Sequence, residues 1–286
     1  MTARGSLAGW RWAALLALAL LFALPVGRVA AAPKRIASLN MCTDQLLLEL
    51  ADPGQIAALS PYARDRNLSF MAAKADGFPI LSGGAEDVLT LAPDLVVAGR
   101  FTKRATREFL RAEGLPLVEF DVVHSLDEAK AQIKRMGDLV GHPERAAAAI
   151  ARIDAAIERS RAAALQNSRR VLAVSRRGWV SGGDSVLTSL LATAGLANAA
   201  PGLGLKSGGF ATLESIIAAR PDLILVADES DNPEDQGQAF LLHPALERLY
   251  PPARRIVIPE RLTICGGPML ADALDRLTEA LGRLRG

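Results

Sequence analysis

The sequence predicts an α/β protein of two lobes, each with a mostly parallel sheet, joined by a single long helix and enclosing a ligand cleft between them. Three observations carry this. Short apolar runs alternate with helical patterns along the chain, as in a parallel sheet covered on both faces. A segment recurs: Glu86-Asp-Val-Leu-Thr-Leu-Ala-Pro93-Asp94-Leu95-Val96-Val97 is echoed by Glu214-Ser-Ile-Ile-Ala-Ala-Arg-Pro221-Asp222-Leu223-Ile224-Leu225. Between the copies, residues 143–166 are Ala-rich and free of internal Gly or Pro, with Ile150, Ile153, Ile157 and Leu165 on a partial apolar stripe, which reads as one long helix.

Taken in order, residues 35–39 form a short buried strand, and Thr43-Asp44 cap a helix carried by Leu46, Leu47, Leu48 and Leu50. Strands follow at 56–59, 95–98 and 117–120, with helices at 86–91 and 104–113 between them and a helix capped by Ser125 running to about Val140. Past the long helix, 169–174 restarts the strand pattern and 185–194 the helix. In both copies of the echo a helix opening with Glu stops at Pro-Asp and leads into an apolar strand, since Pro cannot continue a helix. Two copies are too few for a solenoid; they fit two lobes of similar build, against the competing reading of one α/β domain that uses the same punctuation twice. The expected organisation is residues 1–31 as a signal peptide, 32–142 as the first lobe, 143–166 as the linking helix and 167–286 as the second lobe.

Residues 1–31 have the form of a cleavable secretory signal. Arg4 and Arg11 precede an apolar run, and Val29 and Ala31 place small residues before a cut at Ala31-Ala32. The run is short for a membrane span, and no cysteine stands at the cut to carry a lipid. The chain's 33 basic and 31 acidic residues include Arg4, Arg11 and Arg28 in that segment and no acid there, so the remainder is near neutral. Without basic runs interleaved with aromatics, nucleic-acid binding is not expected. Histidines are sparse. His142 and His243 precede Pro and read as structural, while His124, after a strand, has a possible place in the cleft. No metal-ligand spacing, Gly-x-Gly-x-x-Gly fingerprint or Gly-x-Ser-x-Gly elbow occurs, so no catalytic residue, protein-held metal or cofactor is expected, although an exported α/β hydrolase or transferase is the rival class.

The order of these elements, from signal through both Glu-to-Pro-Asp segments and the long helix to a closing helix led by Pro268, resembles the periplasmic substrate-binding proteins of cobalamin, ferric-siderophore and haem ABC importers. The resemblance spans the whole chain beyond residue 31. It implies two Rossmann-like lobes that open little, and a monomer in the periplasm. Its function would be to capture a metal chelate, of ferric-siderophore or corrinoid type, and deliver it to an inner-membrane permease with a cytoplasmic ATPase. A haem or tetrapyrrole receptor is the alternative. It also implies that Glu86 and Glu214 dock against the permease, a two-point register that favours encounter and orientation; alternatively, each merely complements its helix dipole.

In an open α/β sheet, ligands bind beyond the carboxyl ends of the strands. The loops after the apolar strands hold Cys42, Tyr62, Arg64, Arg100, Arg176, Trp179, Arg261 and Cys265, the candidate ligand-binding residues. Arginine recurs there, which favours a polyanionic ligand through planar charge-assisted hydrogen bonds. Tyr62 and Trp179 offer stacking faces, or a phenol for ferric iron, and Tyr62 matches a ligand-contact tyrosine of the family. For Cys42 and Cys265 three readings stay open: a disulfide stapling the lobes, a ligand-facing or soft-metal thiol pair, and two unrelated buried thiols. Residues 201–209 read as a flap over the cleft or an ordinary surface loop.

Overall fold

The computed structural model describes residues 32–164, 168–227 and 240–285; residues 1–31, expected to be a signal peptide, and the last predicted residues of the linking helix lie outside them. The first sheet has four strands, β1 (Ile36–Ser38), β2 (Ile56–Ala58), β3 (Leu95–Gly99) and β4 (Leu117–Phe120), in the order β2-β1-β3-β4. In the second, β5 (Arg170–Ala173), β7 (Ala197–Asn198), β9 (Leu223–Val226) and β10 (Arg255–Val257) run in the order β10-β9-β5-β7. Counted by first appearance, both sheets have the order second, first, third, fourth, and every ladder in both is parallel. The sequence echo is therefore a duplication of topology. A two-residue pair outside both sheets, β6 (Trp179–Val180) with β8 (Gly209–Phe210), is antiparallel and too short to have left a period-2 signal.

Alternation along the central strands divides the apolar side chains between two faces. Ile36, Leu95 and Val97 in the first lobe and Val171, Ala173, Leu223 and Leu225 in the second join one large core. Ala37 and Val96 turn to a separate core on the outer face of the first sheet, and Leu172, Ile224 and Val226 to one on the outer face of the second. The echoed residues keep their phase: Leu95 and Leu223 face the shared core, Val96 and Ile224 the outer ones.

The helices are α1 (Met41–Leu50), α2 (Ala72–Ala75), α3 (Ala85–Leu91), α4 (Arg104–Ala112), α5 (Leu126–Val140), α6 (Pro143–Ala162), α7 (Val186–Thr193), α8 (Leu213–Ala219), α9 (Pro244–Leu249) and α10 (Leu270–Arg285). The shared core runs from the first sheet through Ile133, Ile153 and Leu277 of α5, α6 and α10 into the second sheet. Pro143 opens α6 at its first turn, where its missing N–H costs nothing. Ser125 caps α5 by accepting the Glu128 N–H at 3.1 Å. The start of α1 departs from expectation. Asn40 is the cap, accepting the Cys42 N–H at 2.9 Å, while Thr43 and Asp44 lie inside the helix and are fully buried. All three are good capping residues, and what decides among them is the buried strand end beside them: Thr43 bonds the Ser38 hydroxyl and Asp44 accepts from Ser60.

The echo has a structural purpose. Both α3 and α8 end in a left-handed residue, Ala92 at φ 45° and Arg220 at φ 46°, directly before Pro93 and Pro221, which neither helix can continue through. The next residue clamps the first strand of its lobe. Asp94 accepts the Lys34 and Arg35 N–H groups at 2.7 and 3.0 Å, and Asp222 accepts the Arg170 N–H at 2.7 Å. Arg35 and Arg170 return a guanidinium N–H to the Leu91 and Arg220 carbonyls.

Candidate functional site

Because all the strands of each sheet are parallel, their carboxyl ends share one edge, and the two edges face each other across a cleft. The loops that leave β3 and β4 supply Arg100, Phe101, Asp121, Val122, Val123 and His124; those that leave β5, β9 and β10 supply Ser175, Ala227, Ile258, Glu260 and Ile264. Three adjoining cavities of about 260, 790 and 180 Å3 fill the space and share wall residues from both lobes, a size range suited to a small organic ligand.

At the floor Cys42 and Cys265 form a disulfide, Cα to Cα 5.4 Å, and both wall the smallest cavity. Of the three readings of the pair, the interlobe staple is the one observed. Gln45 Nε2 lies 3.4 Å from Cys265 Sγ. The neighbouring Gly266 is needed for close approach, since a Cβ there would fall 2.4 Å from Val123 Cβ of the other lobe. At the mouth, His124 Nδ1 lies 3.2 Å from both the carboxylate and the carbonyl oxygen of Asp184, and the Leu126 N–H donates to Ser189 Oγ at 3.2 Å. The lobes are thus joined covalently at the floor and by hydrogen bonds at the mouth.

The candidate residues fall into three groups. Arg100 is exposed, walls two cavities and stands 3.6 Å from Asp121. Trp179, 40 % exposed, walls the second-lobe cavity and meets the ring of Phe210, 67 % exposed, edge-on at 5.1 Å; Phe101, 84 % exposed, walls the other two cavities. Tyr62 is 59 % exposed on the loop after β2, outside the three cavity walls. Arg176 and Arg261 also stand outside those walls, and the Arg176 charge lies close enough to Glu260 to favour its ionised form. Arg64 is turned away: it donates to the carbonyls of Ala75, Asp76 and Phe78 and ties its own loop together.

Two carboxyls near the cleft are perturbed. Burial pushes Asp44 up to about 7, against the opposing pull of hydrogen bonds from Ser38 and Ser60. Burial also raises Glu260, on the wall of the second-lobe cavity, while Arg176 opposes the shift. Among the described residues no three His, Cys, Asp or Glu side chains are gathered to hold a metal ion, and no helix is long and apolar enough to cross a membrane.

Glu86 and Glu214 occupy the same place in α3 and α8, the second helical position, and both are exposed. A helix that follows a parallel strand begins at the strand's carboxyl edge, so each glutamate stands on the cleft side of its lobe. The Glu214 carboxyl is held below the usual range by its own backbone N–H and the Thr212 hydroxyl, which keeps it charged at neutral pH.

Comparison with known proteins defines the class. Residues 36–255 match the model of the periplasmic binding protein family, and the chain belongs to that family. It is 23% identical over 218 residues to a cobalamin-binding protein of Halobacterium salinarum, covering 73% of this chain and 58% of that one, so the chain spans under two thirds of the curated relatives it matches. Among solved structures, a periplasmic heme-binding protein from Roseiflexus sp. RS-1 is similar with a TM-score of 0.72 at 25% identity, over 88% of this chain and 99% of that one. A protein of an ABC-type Fe3+-hydroxamate transport system from Saccharomonospora viridis DSM 43017 gives 0.69 at 20% identity, over 88% and 94%.

Two parts of the cleft are absent from the candidate residues: residues 121–123, of which Val122 walls all three cavities and Asp121 and Val123 two each, and the turn at Gly182–Ser185. The first follows a strand as the other loops do, but Asp-Val-Val carries no arginine, glycine or aromatic ring to draw the eye. In the structure a Cβ at Gly182 would meet the backbone of residues 206–208 within 2.6 Å, so this glycine lets the 201–209 loop, with Ser207 on two cavity walls, close over the cleft.

Proposed function

We propose that this chain is the solute-binding component of an ABC importer, exported to the periplasm, that takes up a metal chelate of ferric-siderophore or corrinoid type between its lobes and hands it to a membrane permease with a cytoplasmic ATPase. The observation that carries this is the interlobe cleft, set at the carboxyl edges of two identically ordered parallel sheets and walled from both lobes, in a chain of the periplasmic binding protein family. The relatives described as cobalamin-binding, heme-binding and of an Fe3+-hydroxamate transport system support a chelated metal as cargo. The chain works by binding and presentation, without chemistry on its ligand, and as a monomer. A haem or other tetrapyrrole is the second reading, favoured by the exposed rings of Phe101, Trp179 and Phe210 and by the exposed Tyr62 phenol.

In this account Glu86 and Glu214 are the docking points, one per lobe, engaging basic residues of the permease. Two fixed charges on a rigid body orient an encounter more than they deepen it. Substituting both, Glu86→Ala with Glu214→Ala, is expected to abolish uptake in cells while chelate affinity of the purified protein stays within about twofold, because neither residue walls the cleft. Uptake at the wild-type rate in the double variant contradicts the docking role.

A further inference from the structure

Resting on that reading, we infer that the cleft selects chelates without net negative charge, neutral or cationic complexes, although the arginine-rich loops suggest the opposite sign. Among the described residues that wall the three cavities, Asp121, Glu128, Asp184 and Glu260 are acids and Arg100 is the one arginine. Arg64 is spent on backbone carbonyls, and Arg176 is set against Glu260, which leaves Asp121, Glu128 and Asp184 facing Arg100 and His124. Arg100 and Asp121 are 3.6 Å apart with most of both side chains in solvent, so they offset each other in charge without forming a strong pair. His124 lies against Asp184 and takes the Glu128 carboxylate on its backbone N–H at 2.7 Å. Its ring therefore meets the Asp184 carboxylate and its backbone the Glu128 carboxylate, and residues 121–125 hold no lysine or arginine.

A second observation points the same way. Phe101 and Trp179 are exposed aromatic residues on the cavity walls, with Phe210 edge-on to Trp179, and the faces of such rings attract cations. A concave site walled by carboxylates with apolar surface behind them focuses a negative potential into the space a ligand occupies, and an anionic chelate entering it meets like charge.

The test uses the protein without residues 1–31 and the quenching of Trp179, its one tryptophan outside that segment. Two charge series are titrated. One is a ferric trihydroxamate whose pendant amine is left free, acetylated or succinylated, giving cationic, neutral and anionic forms of one shape. The other is a corrinoid in cationic, neutral and amide-hydrolysed anionic forms. In whichever series binds, the anionic member is expected to bind at least ~10-fold more weakly than the cationic one. The double variant Asp121→Asn with Asp184→Asn is expected to narrow that ratio severalfold by unmasking Arg100. An anionic member that binds as tightly as its cationic counterpart overturns the charge selection and leaves the proposed function standing. No quenching and no calorimetric binding by any member, or by haem, overturns both.

Discussion

Asp44 is fully buried within the first turn of α1, against β1 and β2, and burial raises its carboxyl to about 7 from an ordinary 3.8. The folded state then holds a proton that the unfolded chain has released across that window. Stability contributed by the protonated group is complete below pH 3.8 and is lost as pH rises through about 7, because there the native state binds more protons than the unfolded one. Asn at this position can accept the Ser60 N–H and donate to the Ser60 hydroxyl. Asp44→Asn is therefore expected to flatten the fall in Tm between about pH 4 and 7, a slope on the order of 1 kcal/mol per pH unit, and to match or exceed the parent at about pH 8. A Tm loss of equal size at every pH would mean that the carboxyl titrates alike in the folded and unfolded chain, against the burial shift. The case also shows what the sequence hides at this scale: Asn40, Thr43 and Asp44 are all plausible caps, and only the packing of Ser38 and Ser60 beside them assigns the role. Likewise Arg64 and Arg100 look alike as loop arginines, and only the direction of each side chain separates a loop tie from a cleft residue.

Elements were more legible than side chains. The duplicated Glu-to-Pro-Asp segment predicted two helices and two strands, and α3, α8, β3 and β9 follow it because helix stop signals and short apolar runs are local rules; which strand residues face which core is seen only in the structure. The reason for the conserved punctuation within the chain was not local: Asp94 and Asp222 reach back to the start of a strand more than fifty residues earlier. Asp94→Ala removes the acceptor for two backbone N–H groups, whereas Asp222→Ala removes one. Both should lower unfolding free energy, by roughly 1–2 kcal/mol for partly solvated charged acceptors, with the larger loss at Asp94; denaturant unfolding of the two variants checks the order. The pair β6 and β8 was not legible, since two residues cannot display a period, yet it sets Phe210 against Trp179, which walls the cleft.

At the scale of the whole molecule, a core continuous from one sheet through α5, α6 and α10 to the other, with a disulfide joining residues 223 apart at the cleft floor, leaves the lobes little freedom to separate. Two lobes and a cleft followed from alternation and repetition in the sequence. The pairing of Cys42 with Cys265 did not, because it depends on how the last helix of the second lobe returns to the first helix of the first. Limited opening suits the proposed role, in which a bulky, preformed chelate is held at the cleft while two fixed glutamates are presented. The central claim, capture of a metal chelate between the lobes, is tested most directly by native mass spectrometry, with visible absorption, of the protein taken from the periplasm of its own host. One chelate per chain, released when the protein is unfolded, is the predicted result; a bare chain that also retains no added ferric siderophore, corrinoid or haem would contradict it.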